Sequence, residues 1–471
     1  MKYDYIIIGA GPTGLTLSYY LAKLNKKCLL IDKNENIGGC HRVTRVNGLF
    51  TEHSPRIYSN AYLNFIKLLK NMDTNFYDLF VDYNFNINNI SSQVINNFQS
   101  GEIIFLIMEF ISLFFNSKYS KSISIGEFME NKNFSEKTKD YIDRICRLSD
   151  GVGSDRYTLF QFLQLINQMS LYKLYQPCEP NDIGLFKIWY DAIKNTNNVD
   201  IILNTEVSNI KYDDNKIKSI TINNNEYNSD NIILALPPKP LLQILKKSNI
   251  ENSFIESNFE NWVKENSYNN DIGIVFHWDQ DLLLNKVWGY PQSEWGIAFI
   301  VTSDYTNFDD IRSKTVISTV ITKTDIKSSF INKTVNECKK DELINETFRQ
   351  LKLTYNDLPE PTYSILNPLI YQEGNEWKED DTAYILSKYE NTILPAKSIR
   401  FSNLYNCGTQ NGKSKYYFTS IESAITNAIS LLHTIEPETK KIHKIIEPDD
   451  IIGIIKFFML IYFILFIFKK I

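Results

Sequence analysis

The sequence predicts an α/β chain: a parallel-sheet nucleotide-binding domain, interrupted by a discontinuous α+β domain and followed by a C-terminal transmembrane helix. Three observations predict this. The first forty residues read as strand, glycine-rich turn, helix and second strand. Extended apolar runs over residues 272–278, 295–301 and 315–322 read as an antiparallel sheet. Residues 451–468 are apolar, aromatic or glycine except Lys456.

At the N-terminus, residues 5–8 (YIII) run into Gly9-Ala10-Gly11-Pro12-Thr13-Gly14. Gly9 permits the turn, Gly11 lets the backbone approach a pyrophosphate, and Gly14 lets helix and strand pack closely, which leaves a dinucleotide phosphate at the helix N-terminus. Residues 28–31 (CLLI) then form a buried strand ending at Asp32 and Lys33, where a carboxylate meets the adenosine ribose.

Gly38-Gly39, just beyond, shifts the expectation from a nicotinamide to a flavin. Residues 32–55 (DKNENIGGCHRVTRVNGLFTEHSP) resemble the second half of the FAD fingerprint of the flavin amine oxidase superfamily, which includes monoamine and polyamine oxidases, phytoene desaturases and protoporphyrinogen oxidases. Gly38, Gly39, Gly48, Glu52 and Pro55 fit its spacing, whereas Cys40, Val43 and Ser54 stand where arginine, threonine and glycine are usual. A C-terminal stretch, residues 403–409 followed by a helix over 419–433, resembles the superfamily's second flavin motif through Gly408, Thr409, Glu422 and Ala424. The residue matching Val207 contacts the adenine side through its backbone in that superfamily.

The resemblance implies a Rossmann-like FAD-binding domain built from residues 1–72, 195–245 and 396–435. A helical insertion, 73–194, and a sheet-bearing part, 246–395, form the substrate domain. Residues 436–450 are a linker and 451–468 a tail anchor. FAD is expected to be held without a covalent bond, by Gly9, Gly11, Pro12, Thr13, Gly14, Asp32, Lys33, Gly38, Gly39, Cys40, Ser54, Pro55, Arg56, Val207, Gly408 and Thr409.

Between these motifs, helical periodicity covers residues 60–72, 137–148, 157–169, 184–194 and 334–351. Residues 102–115 (EIIFLIMEFISLFF) read as a buried core helix, too short to span a bilayer and carrying Glu109. Ser124 and Glu127 have capping-box spacing. Strands are expected at 200–203, around turns at 213–215 and 223–225, and at 230–234.

Composition narrows the function classes. The net charge is −5, from 50 basic and 55 acidic residues, with no basic stripe to bind nucleic acid. The six cysteines have no metal-ligand spacing and read as thiols in a reducing compartment. The N-terminus enters a strand at once, so a single-pass anchor with the enzyme facing the cytosol is the expectation.

In the resembled amine oxidases a lysine often stands near the flavin, yet the strand at 272–278 has none, and Lys264 lies earlier. Those enzymes also flank the substrate with two rings; here Ser420 and Tyr417 occupy the corresponding positions. No catalytic residue is assigned. His53 reads as a packing residue before a catalyst, and Arg56 as a partner for an acidic group or a surface ion pair. The expected activity is oxidation of a C–N or C–C bond of a small, lipophilic substrate by hydride transfer to flavin, with dioxygen or a quinone as acceptor. A redox-neutral isomerase or mutase, or an inactive flavin-binding scaffold, is the alternative.

Overall fold

Strand β1 (Lys2–Ile8) buries Tyr5, Ile6, Ile7 and Ile8 in succession, the pattern of a strand covered on both faces. The structure, a computed structural model, describes residues 2–84, 96–266, 271–287, 293–379, 393–415 and 419–468. From β1 the chain turns into α1 (Pro12–Lys23), which has proline in its first turn, and returns as β2 (Cys28–Ile31), parallel to β1. A hairpin of β3 (Val43–Val46) and β4 (Leu49–Glu52) leads to α2 (Leu63–Asn71).

The expected helical insertion contains α3 (Ser100–Ser112), α4 (Glu136–Asp150), α5 (Leu159–Met169) and α6 (Leu185–Lys194). The Ser124 and Glu127 capping box forms, with Glu127 N donating to Ser124 Oγ at 3.0 Å. The chain then re-enters the first sheet as β5 (Val199–Ile202), β6 (Asn209–Asp213), β7 (Lys216–Ile222) and β8 (Asn225–Leu234).

The second sheet is wholly antiparallel. It contains β9 (Ile272–Trp278), β10 (Ile297–Val301), β11 (Thr315–Ile321) and, after α7 (Lys340–Leu351), β12 (Tyr363–Leu366), in the order β10-β11-β9-β12. Its apolar face packs on Leu343, Phe348 and Leu351 of α7. A hairpin follows, β13 (Ile370–Glu373) and β14 (Glu376–Glu379).

Strand β15 (Leu404–Asn406) brings the chain back to the first sheet, before α8 (Ile421–Ile435) and α9 (Ile451–Phe468). That sheet has the order β5-β2-β1-β8-β7-β6. Strand β8 is long enough to pair β7 antiparallel with its first half and β15 parallel with its second. Three separate chain segments therefore close one sheet. Helices α1, α2, α6 and α8 supply residues to the core on one face, and the other face packs on residues 241–263.

Two expectations are corrected. Ile451–Phe468 is a helix, but among the described residues no helix is long and apolar enough to cross a membrane, so the transmembrane helix does not stand. Its first turn belongs to the globular body: Ile452 is buried and its N–H donates to Asn167 Oδ1 at 3.0 Å. Eighteen residues rise only about 27 Å, short of a bilayer's apolar thickness of about 30 Å before that docked turn is subtracted. The stretch before it is also tied down, since Thr439 and His443 are buried.

Helix α3 is not a buried core helix. Ile104, Ile107, Met108 and Ile111 are all at least half exposed, while Phe105, Leu106 and Phe110 pack on the main core. An unbroken apolar run carries no directional signal, so its single buried face could not be read from periodicity. The buried Glu102 holds the helix start, accepting from Gln99 N at 2.7 Å, Ser135 N at 2.6 Å and Thr138 Oγ1 at 2.6 Å.

Gly273 in β9 marks where the two sheets' domains touch: a Cβ there would lie 2.3 Å from His53 O. Gly273→Val is expected to destabilise the chain by about 1–3 kcal/mol in urea unfolding, because backbone cannot yield as a flexible side chain does. Gly101→Ala, in a helix with nothing within 4 Å of the new methyl, is expected to be neutral or to stabilise by up to about 1 kcal/mol.

Candidate functional site

Two glycine loops meet at the C-terminal end of the first sheet. Gly38 N donates to Ala10 O at 2.9 Å, and a Cβ on Gly11 would lie 3.6 Å from Gly39 Cα, so the turn before α1 and the turn after β2 are in backbone contact. Gly38 has φ +118°, a conformation that favours glycine, and Phe186 closes over it. Pro12 and Thr13 open α1, whose N-terminal N–H groups face this junction.

Asp32 braces the turn. Its Oδ2 accepts from Ala10 N at 2.6 Å and its Oδ1 from Asn34 N at 2.8 Å. Lys33 is exposed beside it. Thr205 N donates to Asp32 O at 3.0 Å, which lays the segment leading to Val207 along the same loop; the Val207 side chain itself is buried in the second core.

The second flavin motif comes to the same place. Cys407 N donates to Leu234 O at 3.0 Å and Gly408 N to Asn411 Oδ1 at 2.9 Å, while Thr409 opens a single turn. A Cβ on Gly408 would lie 2.3 Å from Gln410 Oε1. Ser420 caps α8, accepting from Ser423 N at 3.1 Å, and Thr13 Oγ1 donates to Ala424 O at 3.4 Å. The N-terminal turns of α1 and α8 thus adjoin, giving two positive helix ends side by side. Tyr417 lies outside the described residues.

Around residues 39–56 the site becomes polar and buried. Arg56 is not a surface ion pair: its guanidinium donates to Cys40 O at 2.6 Å, and its own carbonyl accepts from Gln176 Nε2 at 2.6 Å. Cys40 and Pro55 are half-buried, and Ser54 is buried. Val43 packs with Phe50, Val275 and Val316, an apolar setting that accounts for valine there. Lys264 stands exposed on another helix, paired with Glu260 at 3.1 Å.

Sequence reasoning missed the pairing of His53 with Glu379 on β14. His53 Nδ1 lies 2.5 Å from Glu379 Oε1, and both side chains are buried, 4% and 2% exposed. Nothing local could have signalled it, since 326 residues separate the partners. Beside the pair, burial pushes the Glu52 carboxyl up to about 7, against the lowering effects of Ser318, Arg56 and His53. Burial first, then the charges of Arg56 and His53, push the His41 imidazole well below its usual range. Burial also raises the Cys407 thiol, which therefore stays protonated.

Among the described residues, buried side-chain atoms near these loops without a hydrogen-bond partner include His41 Nδ1, Thr51 Oγ1, His53 Nε2, Asn181 Oδ1 and Glu379 Oε2. Each such atom costs about 1–3 kcal/mol unless a ligand meets it. Together with two helix N-termini and the crowded glycines, they fit a polar, phosphate-bearing cofactor such as FAD. A small cavity here is lined by Phe50, Glu52, Arg56, Gln176, Asn181 and Phe308, among others. A wider cleft of about 1620 Å³, lined by Ser124, Glu130, Asp155, Arg156 and Asn258 among others, shares no residue with these loops. Among the described residues no cluster of His, Cys, Asp or Glu could hold a metal ion.

Known proteins place this geometry. Residues 7–72 match the NAD(P)-binding Rossmann-like domain, and residues 182–430 match the flavin containing amine oxidoreductases. A UDP-galactopyranose mutase of Mycoplasma pneumoniae is 38% identical over 60 residues, 12% of this chain and 15% of that protein. Its counterpart in Mycoplasma genitalium is 34% identical over 71 residues, 14% of this chain and 18% of that protein. The matches thus span less than a fifth of either relative. Among solved structures, a putrescine oxidase variant superimposes with a TM-score of 0.65 at 12% identity, covering 93% of this chain and 99% of its own. A Methanosarcina mazei oxidoreductase does so at 0.64 and 16%, covering 92% and 100%. Cyclohexylamine oxidase from Brevibacterium oxydans gives 0.59 and 12%, covering 93% and 100%. At such identities the superpositions show a shared fold, and the match over residues 182–430 shows the family: the chain belongs to the flavin containing amine oxidoreductases, FAD-dependent oxidoreductases.

Proposed function

We propose that this chain oxidises a C–N or C–C bond of a small substrate, passing a hydride to non-covalently held FAD, with dioxygen or a quinone as the final acceptor. One observation carries the reading: buried, unpartnered polar atoms and titratable groups gather where the two nucleotide motifs meet the antiparallel sheet. Bound FAD supplies the hydride acceptor. In this reading Gly11 and the start of α1 hold the pyrophosphate, Asp32 the ribose, and the start of α8 faces the flavin's pyrimidine edge. Glu52 and Arg56 are the polar groups that meet the substrate in this reading; the cavity they line with Phe50 and Phe308 measures about 20 Å³, room for about one water, and must widen to admit it.

A second reading has a specific support. The short matches to UDP-galactopyranose mutases favour a redox-neutral reaction on a flavin, in which product forms without consumption of an acceptor.

Purified chain is expected to be yellow, to release FAD on acid precipitation, and to bleach anaerobically with an amine substrate. A colourless, folded chain that takes up no added FAD overturns both readings, and turnover without bleaching or oxygen uptake favours the mutase. Gly11→Val is expected to lower FAD affinity at least about 10-fold, read by flavin fluorescence, by filling the space in which a phosphate approaches the backbone.

Glu52 adds a pH dependence. The folded chain holds the Glu52 proton between 4.5, the ordinary value, and about 7, where the unfolded chain has released it. Its contribution to stability is therefore present below 4.5 and is lost as pH rises through 7. Glu52→Gln is expected to flatten that part of the stability profile, measured as urea midpoints of wild type and variant across the window.

A further inference from the structure

We propose that His53 and Glu379 form the proton-accepting pair of the oxidation, with His53 Nε2 as the catalytic base and Glu379 as its positioning residue. The proposal rests on the amine-oxidising reading above and adds to it the group that takes the substrate's proton.

The geometry assigns the roles. An ionised carboxylate only accepts hydrogen bonds, so Glu379 Oε1 at 2.5 Å holds the proton on His53 Nδ1 and leaves the lone pair on Nε2. That Nε2 atom is buried and has no hydrogen-bond partner among the described residues. A buried imidazole fixed in one tautomer by a carboxylate, with its basic nitrogen unoccupied, is the arrangement that a general base requires. Glu379 is itself held, with Asn367 Nδ2 at 3.5 Å from Oε1.

The backbone is fixed as well. Gly273 of β9 packs so closely on His53 O that no side chain fits between them, and Ser54 and Pro55, expected at the flavin, follow directly. Strand β9 brings no competing base: His277 is engaged on both nitrogens, with Ser313 Oγ at 3.0 Å and Phe50 O at 2.9 Å. Among the described residues, His41 and Glu52 interact electrostatically with His53, and Arg56 with both of them. Glu52 and Arg56 also line a cavity of about 20 Å³, room for about one water.

The chemistry this pair serves is oxidation of an H–C–N–H unit. The N–H bond breaks and its proton goes to His53 Nε2. The C–H bond breaks and its hydrogen leaves with both electrons to FAD. The C–N single bond becomes a C=N double bond, so the substrate loses two electrons and FAD gains two. The carboxylate of Glu379 stabilises the imidazolium while it lasts.

The test uses FAD-loaded chain, with putrescine and cyclohexylamine as probe amines. His53→Gln is expected to slow anaerobic bleaching by about 10²–10⁴-fold, each rate taken per bound flavin. Glu379→Gln is expected to slow it about 10- to 100-fold. A second readout needs no turnover: in ¹⁵N-histidine spectra of the wild type, His53 is expected to carry its proton on Nδ1, and Glu379→Gln to lose that preference between the two nitrogens. A proton on Nε2, a resonance indifferent to Glu379→Gln, or a folded, yellow His53→Gln that bleaches at the wild-type rate overturns the pair's role. A wild type that retains FAD but is bleached by neither amine overturns the amine-oxidising reading and this proposal with it, whereas a bleached wild type with an unimpaired His53→Gln overturns the pair alone.

Discussion

The close crossing at Gly9 and Gly14 is the contact on which the nucleotide domain depends. A Cβ on Gly14 would lie 1.8 Å from Gly9 O, and one on Gly9 would lie 2.4 Å from Ala235 O, so three chain segments meet with no room for a side chain. This contact presses α1 onto the end of β1 and β8 and fixes where its N-terminal N–H groups point. Everything laid over α1 inherits that position, including α8 through Thr13 and Ala424.

Helix α8 passes the constraint on through one buried carboxylate. Glu422 accepts from Asn64 N at 3.0 Å, Asn64 Nδ2 at 2.7 Å and Phe65 N at 2.8 Å, taking up first-turn donors of α2. Asn64 Oδ1 in turn accepts from Ile446 N at 2.9 Å, and the buried His443 lies between Asn64 and Tyr20. The chain after α8 is thereby docked onto α1 and α2. Burial holds His443 neutral, down at about 4, so the network carries one acidic group and no cation.

Two of the departures from the flavin fingerprint have local physical reasons. Val43 serves a small apolar core and Ser420 exchanges an aromatic face for a helix cap, while nothing in the structure explains the cysteine at position 40. Each of these two alters a contact and keeps the backbone path of the motif. A fingerprint can therefore survive in its glycines while its side-chain chemistry moves elsewhere, here to a cluster of Glu52, His53, Arg56 and Glu379.

Local chemistry by itself determined the parts of this protein that depend on short spacing. The strand, glycine turn, helix, strand and acid of residues 5–32 follow from backbone sterics within one unit, and the alternating runs of the antiparallel sheet follow from period-two burial. The folded chain alone decided what long-range contact controls. Helix α3 exposes most of one face because an all-apolar run does not say which side is covered, and the helix at Ile451–Phe468 surrenders its first turn to α5 because docking is a property of the partner surface. The union of His53 with Glu379 belongs to the same class: two side chains far apart in sequence become neighbours only when β14 closes against the loop beyond β4.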